Sequence, residues 1–162
     1  MTGKIITAMT DYYKGDAKRI NHFMKVYAFA KAIGEEEGLD EKTRIILEIA
    51  AIVHDIGIKL SEEKYNSSAG KYQELEGPAE AKKLLEGLNI NEDVIDRVCY
   101  LVGHHHTYRN IDNIDYQILV EADFIVNIYE DNESREAAEK VYDNIFKTET
   151  GKRYMRNLFL GE

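Results

Sequence analysis

With 162 residues, 30 acidic against 21 basic side chains and a formal charge of −9, the chain is sized for one domain and has the wrong sign for a long polyanion such as duplex DNA or RNA. A single cysteine, Cys99, excludes an internal disulfide, and its neighbours Val98, Leu101 and Val102 mark it as a core thiol rather than a nucleophile. No apolar run reaches the length of a membrane span and no signal-peptide core follows Met1, which predicts a cytosolic protein with no membrane partner and no nucleic-acid polymer as partner.

Residues 4–13 predict a short leading helix broken by Gly15. From Asp16 to about Gly38 the pattern predicts a long amphipathic helix in which His22, Val26, Phe29 and Ile33 fall at spacings of four, three and four, placing His22 on the apolar stripe. The stretch Asp40 to Gly57 organises the rest: an acidic cap, apolar residues on nearly every face from Ile45 to Val53 apart from Glu48, and a closing glycine. At its foot stand His54 and Asp55. An ionised carboxylate on so apolar a helix is costly unless a cation or several hydrogen bonds compensate it, and a metal ion would do so best. On this stretch alone the alternative stays open, with Asp55 in water at a frayed end and His54 a satisfied core residue.

The polar run Lys59 to Glu76 is predicted to be irregular, most loop-like from Asn66 to Gly70, and either a substrate-facing flap or a surface connection. Gly77-Pro78 then opens a helix of about three turns. Asn91 caps another, with Val94, Ile95, Val98, Leu101 and Val102 at helical spacing, which ends after Gly103 in His104, His105 and His106. Three consecutive histidines on a helix cannot share one site, so at most one or two would serve it; the alternative is that their charge simply suits a helix C-terminus. Residues 110–132 predict a helix that is apolar almost all round from Ile118 to Ile128. Asp123 sits in its middle, and there a carboxylate requires an Arg, Lys or metal partner. Two further helices over about residues 134–160 read as covers for the bundle, and no period-two alternation points to a sheet. The fold class is therefore all-α.

His22, His54, Asp55 and Asp123 lie on three apolar helices, and one divalent ion would explain their burial together. The ligand set suits Mn²⁺, Fe²⁺, Co²⁺, Ni²⁺ or Zn²⁺ without choosing among them, with positions left for water and substrate oxygen. Four ligands suffice for one tightly held ion per chain.

Asn21-His22-Phe23, Val53-His54-Asp55-Ile56-Gly57 and Glu121-Ala122-Asp123, in that order over about residues 20–127, resemble the HD-domain superfamily of metal-dependent phosphohydrolases. The resemblance implies a single HD-like domain over residues 1–162, a helical bundle with the metal at its centre. It further implies hydrolysis of a phosphate mono- or diester in a small phosphorylated metabolite or nucleotide, with Asp55 at the reacting centre. His104 and His105 match a later histidine region of the family, which implies a second-metal ligand, a phosphate contact or a proton donor to the leaving group. Lys59, just after Gly57, would be a further phosphate contact. Two departures stand out. Where members with two metals supply a histidine, four residues before the glycine that opens the helix after the loop, this chain has Gln73. Where deoxynucleotidase-like members read HDxxE, the fifth residue is Ile58, leaving Glu74 or Glu76 as substitutes. Two other functions stay open: a metal-stabilised binding or regulatory module without turnover, and a di-iron oxygenase, which needs a full two-iron ligand set.

Overall fold

The computed structural model describes residues 1–161. Among these residues all regular secondary structure is helical: α1 (Thr2–Tyr12), α2 (Ala17–Glu36), α3 (Glu41–Val53), α4 (Ile58–Tyr65), α5 (Gly70–Glu86), α6 (Glu92–Val102), α7 (Ile114–Glu130), α8 (Arg135–Asn144), α9 (Glu149–Met155) and a final π-helical turn, Arg156–Leu160. The all-α expectation is met. None of these helices is long and apolar enough to cross a membrane.

Two helices form the middle. On α3 every residue from Ile46 to Val53 is buried, and on α7 burial runs without a break from Asp115 to Asp123. A helix apolar on most faces gains from the hydrophobic effect only if neighbours cover it all round. Here α2 lies along both α3 and α7, α1 and α6 cover other faces of α3, and α9 packs on α7. Asp40 caps α3 as its sequence predicted, accepting from Thr43 N at 2.9 Å, and Asp16 caps α2 by accepting from Arg19 N at 3.2 Å.

Glu121 shows how the covering helices are seated. Fully buried on α7, its carboxylate accepts from Gln117 Nε2 (2.6 Å), Lys147 N (2.9 Å), Thr148 N (3.1 Å) and Thr148 Oγ1 (2.6 Å). Four donors make a buried carboxylate tolerable, and they draw the start of α9 onto the centre of the bundle.

The expected irregular stretch Lys59 to Glu76 is corrected by the structure. It folds as α4 and the first turns of α5, joined by residues 66–69, with Asn66 left-handed at φ 52°. Gly77-Pro78 consequently lies inside α5 rather than at its start. The inward positions explain the discrepancy, because they are Ile58 and Ser61 on α4 and Gln73, Gly77, Ala81 and Leu85 on α5. Small and polar residues occupy much of the buried stripe, so helical periodicity is present without large apolar side chains to reveal it. The small residues are needed for space: a Cβ on Gly57 would stand 2.6 Å from Gln73 O, and one on Gly77 would stand 2.7 Å from Val102 Cγ1.

Candidate metal centre

His54 to Gly57 form tight turns between α3 and α4, closed by Ile56 N donating to Val53 O and Ile58 N to Asp55 O, each at 3.0 Å. Tyr13, just beyond α1, pins this turn by donating its hydroxyl to Asp55 O at 2.7 Å. The apolar α3 thus delivers His54 fully buried and Asp55 with its side chain 16% exposed, at the floor of a cleft. From α2 comes His22 and from α7 comes Asp123, both buried.

The four residues expected to act together do meet. His22 Nε2 stands 3.2 Å from His54 Nε2, 3.1 Å from Asp55 Oδ2 and 3.1 Å from Asp123 Oδ1. His54 Nε2 stands 3.4 Å from Asp55 Oδ2 and 3.3 Å from Asp123 Oδ1. The tautomers follow from what lies behind each ring. His22 Nδ1 faces Glu130 Oε1 at 2.6 Å and His54 Nδ1 faces Ala51 O at 2.7 Å; both partners only accept, so each Nδ1 carries the proton. Each neutral ring then turns a bare Nε2 lone pair towards two carboxylates. Acceptors converge with no donor among them, and either extra protons or a cation must sit at their centre. In protons, the electrostatics are severe. Burial opposes charge on His22, yet hydrogen bonds to Asp123 and Asp55 override it and push the imidazole up to about 11. Burial opposes charge on His54 as well, and the two aspartates push it up to about 10. Burial would raise Asp55 and Asp123, but His54 above all holds both carboxyls below their ordinary range. A divalent cation satisfies the same field without crowding protons between adjacent rings.

The histidine run diverges. α6 stops at Val102, so His104, His105 and His106 lie on a turn rather than a helix and point in different directions. His104 is not brought to the cluster: its Nδ1 donates to Tyr100 O at 2.7 Å and its ring stacks on Tyr100 with centroids 4.0 Å apart. His105 is buried, donates Nδ1–H to Val102 O at 2.8 Å, and leaves Nε2 without a hydrogen-bond partner, 3.4 Å from Asp55 Oδ1. That orphaned nitrogen is an observation the metal fits, since a buried imidazole lone pair otherwise goes unsatisfied. His106, which no sequence pattern singles out from its neighbours, borders the cleft and donates Nε2–H to Gln73 Oε1 at 2.8 Å. Burial and the adjoining His105 lower it to about 4, so it is neutral. Asp55, His105 and His106 therefore make a second group of possible ligands beside His22, His54 and Asp123, and Asp55 lies between the two, Oδ2 towards one and Oδ1 towards the other.

Around this floor lies a cleft of about 440 Å³, lined among others by Lys18 and Arg19 of α2 and by Asn127, Glu130 and Asp131 at the end of α7. Lys59 is not part of it; its ammonium lies over the Tyr12 ring, 5.0 Å from the centroid, and donates to Tyr12 O. Glu74 and Glu76 are engaged elsewhere, the first accepting from His106 N and Thr107 Oγ1, the second pairing with Lys64 at 2.5 Å. Gln73, noted in the sequence as a departure, is buried in the cleft wall, its amide fixed by donation to Ser68 O at 2.7 Å. Sequence reasoning missed Arg19 and Glu130. Both carry a helical signal, Arg19 one turn before His22 and Glu130 two turns after Asp123.

Fold and site together define an all-helical bundle with a candidate divalent-metal centre in its middle. The family model for the HD domain matches residues 19–147, and the chain belongs to the HD domain family. A solved structure described as a predicted HD superfamily hydrolase, from an uncultured Thermotogales bacterium, shares the fold at a TM-score of 0.69 and 20% identity, over 97% of this chain and 84% of that one. No curated protein matches the chain.

Proposed function

We propose that the protein is a metal-dependent phosphohydrolase acting on a small phosphorylated metabolite or nucleotide. The observation that carries this is the convergence of the Nε2 atoms of His22 and His54 with the carboxylates of Asp55 and Asp123, at the floor of a cleft sized for a small molecule. His22, His54, Asp123 and Asp55 Oδ2 would hold one ion, of Mn²⁺, Fe²⁺, Co²⁺, Ni²⁺ or Zn²⁺ type. When bound, such an ion supplies Lewis acidity, both activating water at neutral pH and polarising a phosphoryl oxygen.

The chain's own groups supply the rest. His105 and His106 adjoin the four-ligand group and would offer a phosphate contact or, with Asp55 Oδ1, a weaker second cation position, in the role expected of His104 and His105. Arg19 borders the cleft with its guanidinium steadied by Asp16 at 2.9 Å and Glu62 at 2.5 Å, and its remaining N–H groups would offer contacts to a phosphate. Asn127 and Asp131, which also line the cleft, suit hydroxyl groups of a sugar. The overall charge of −9 and the closed floor fit a small phosphorylated partner rather than a polymer.

The second reading is a metal-stabilised module without turnover. One observation favours it: Ile58 is buried where an acid is expected, and Glu74 and Glu76 are tied up elsewhere. A panel of phosphomonoesters and phosphodiesters, run on chelated protein with each of Mg²⁺, Mn²⁺, Fe²⁺, Co²⁺, Ni²⁺ and Zn²⁺ restored in turn, separates the two. Turnover with at least one ion supports the hydrolase; a flat panel with tightly bound metal refutes it in favour of the module.

A further inference from the structure

The imidazoles of the centre are not backed alike. His54 and His105 each donate Nδ1–H to the carbonyl three residues earlier, Ala51 and Val102, which the local chain supplies at the end of a helix. His22 has no such recourse. It lies inside α2, where the preceding carbonyls are engaged in the helix, so its Nδ1–H must find an acceptor on another element. That acceptor is Glu130, 108 residues away in sequence, at 2.6 Å. Glu130 ends α7 two helical turns beyond Asp123, so one helix grips both nitrogens of one ring, Asp123 on Nε2 at 3.1 Å and Glu130 on Nδ1 at 2.6 Å. The second oxygen of Glu130 is held by Lys25, one turn after His22 on α2, at 2.6 Å. The carboxylate is largely enclosed, its side chain 13% exposed against 42% for Lys25.

We propose that Glu130 is a positioning residue of the metal centre, fixing the His22 ring and strengthening its bond to the cation, with Lys25 as the counter-charge that limits this effect. The proposal rests on the metal-centre reading above and deepens it. A full negative charge on Nδ1–H makes the opposite nitrogen a better donor than a backbone carbonyl does, and partners of this kind change metal affinity by about 10–100-fold. Lys25 withdraws part of that charge. A purely structural account of the same contacts is available, in which Lys25 and Glu130 merely tie α2 to α7, and it predicts something different. Under it, removing either end of the ion pair has the same effect.

The test is a titration of metal-free, chelator-stripped protein with Zn²⁺ against a chromophoric chelator, on wild type, Glu130→Gln and Lys25→Met, with a melting curve of each metal-free protein alongside. Glu130→Gln keeps the volume and an acceptor oxygen and removes the charge. It should weaken Zn²⁺ binding about 10–100-fold, while Lys25→Met binds Zn²⁺ as tightly as wild type or tighter. The two substitutions break the same ion pair and so move Zn²⁺ affinity in different ways. Equal affinity in Glu130→Gln and wild type overturns the proposal, as does a matching loss in both variants. If Glu130→Gln does not fold, Lys25→Met decides, tenfold weaker binding overturning the proposal and unchanged or tighter binding supporting it. Failure of the wild type to bind Zn²⁺ or any other divalent ion is a separate result, which removes the metal centre itself.

Discussion

Alanine at Gly57 tests how α5 is seated over the metal centre. The backbone at Gly57, φ −74° and ψ −12°, is open to any residue, so conformational freedom is not the reason for glycine here. Space is. A Cβ would stand 2.6 Å from Gln73 O, 2.8 Å from Gly77 N and 2.9 Å from Gly77 Cα, all backbone atoms of α5 that no rotamer change can move. Overpacking of this kind costs about 1–3 kcal/mol, and the obstruction being backbone puts Gly57→Ala in the upper half of that range. Restricting the unfolded chain returns about 0.4–1 kcal/mol. The net is a loss of about 1–2.6 kcal/mol, which at about 2–4 °C per kcal/mol for a chain of this size lowers Tm by about 2–10 °C. Gly3 supplies the control, since its backbone in α1 also accepts any residue and its added Cβ meets nothing within 4 Å. Gly3→Ala should therefore stabilise by about 0.5–1 kcal/mol. Urea denaturation and thermal melts of both variants give the signs directly. Because Gln73 O takes the collision, the Gln73–His106 hydrogen bond should suffer and turnover should fall by more than the unfolded fraction explains. A Gly57→Ala protein as stable as Gly3→Ala would refute the close crossing of the α4 turn and α5.

Stripping the metal should lower Tm, because a ligand bound only by the folded state stabilises it by mass action, about 2.7 kcal/mol at a hundredfold excess over Kd; unchanged melting after verified removal counts against a central site. Asp55→Asn and Asp123→Asn should reduce hydrolysis to background while the metal-free proteins melt near wild type, since an amide keeps the volume but is a poor ligand for a divalent ion. Wild-type turnover in either variant removes that residue from the ligand set. His104→Ala should leave turnover within about twofold, because its ring packs on Tyr100 outside the cleft, whereas His105→Ala should depress turnover by at least about tenfold through loss of the group beside Asp55. Metal analysis of the same proteins should show about one tightly held equivalent in both. Two equivalents in wild type, falling to one in His105→Ala, would refute the single-ion reading.

What the sequence revealed of the site depended on contrast. Asp123 stands in a helix apolar on nearly all faces, and His54-Asp55 ends another, so the desolvation cost of each is visible without coordinates. His22 is visible for the same reason, as the one imidazole on an apolar stripe. Glu130 offers no such contrast: in the run Tyr129-Glu130-Asp131-Asn132 it looks like the solvated end of a helix. Only its spacing of seven from Asp123 places it on the same face, and a spacing rule says nothing of what lies opposite until α2 is laid alongside α7.

The histidine run was unreadable for a different physical reason. On a continuing helix, adjacent residues would be about 100° apart and a choice between His104 and His105 would follow from the apolar stripe of Val98, Leu101 and Val102. α6 instead stops at Val102, and the turn that follows sets each ring separately: His104 N donates to Leu101 O at 3.1 Å, Thr107 N donates to His104 O at 2.8 Å, and Tyr116 on α7 donates its hydroxyl to His104 O at 2.9 Å. Those bonds to α6 and α7 fix a backbone path that turns His104 towards Tyr100 and His105 towards Asp55. His106 is left beside Gln73, a residue on α5 whose helix was itself hidden by the small and polar residues on its buried stripe. Which histidine meets the centre is thus decided by where one helix ends and by two others packed across it, so it is a property of the assembled bundle rather than of the segment that contains the histidines.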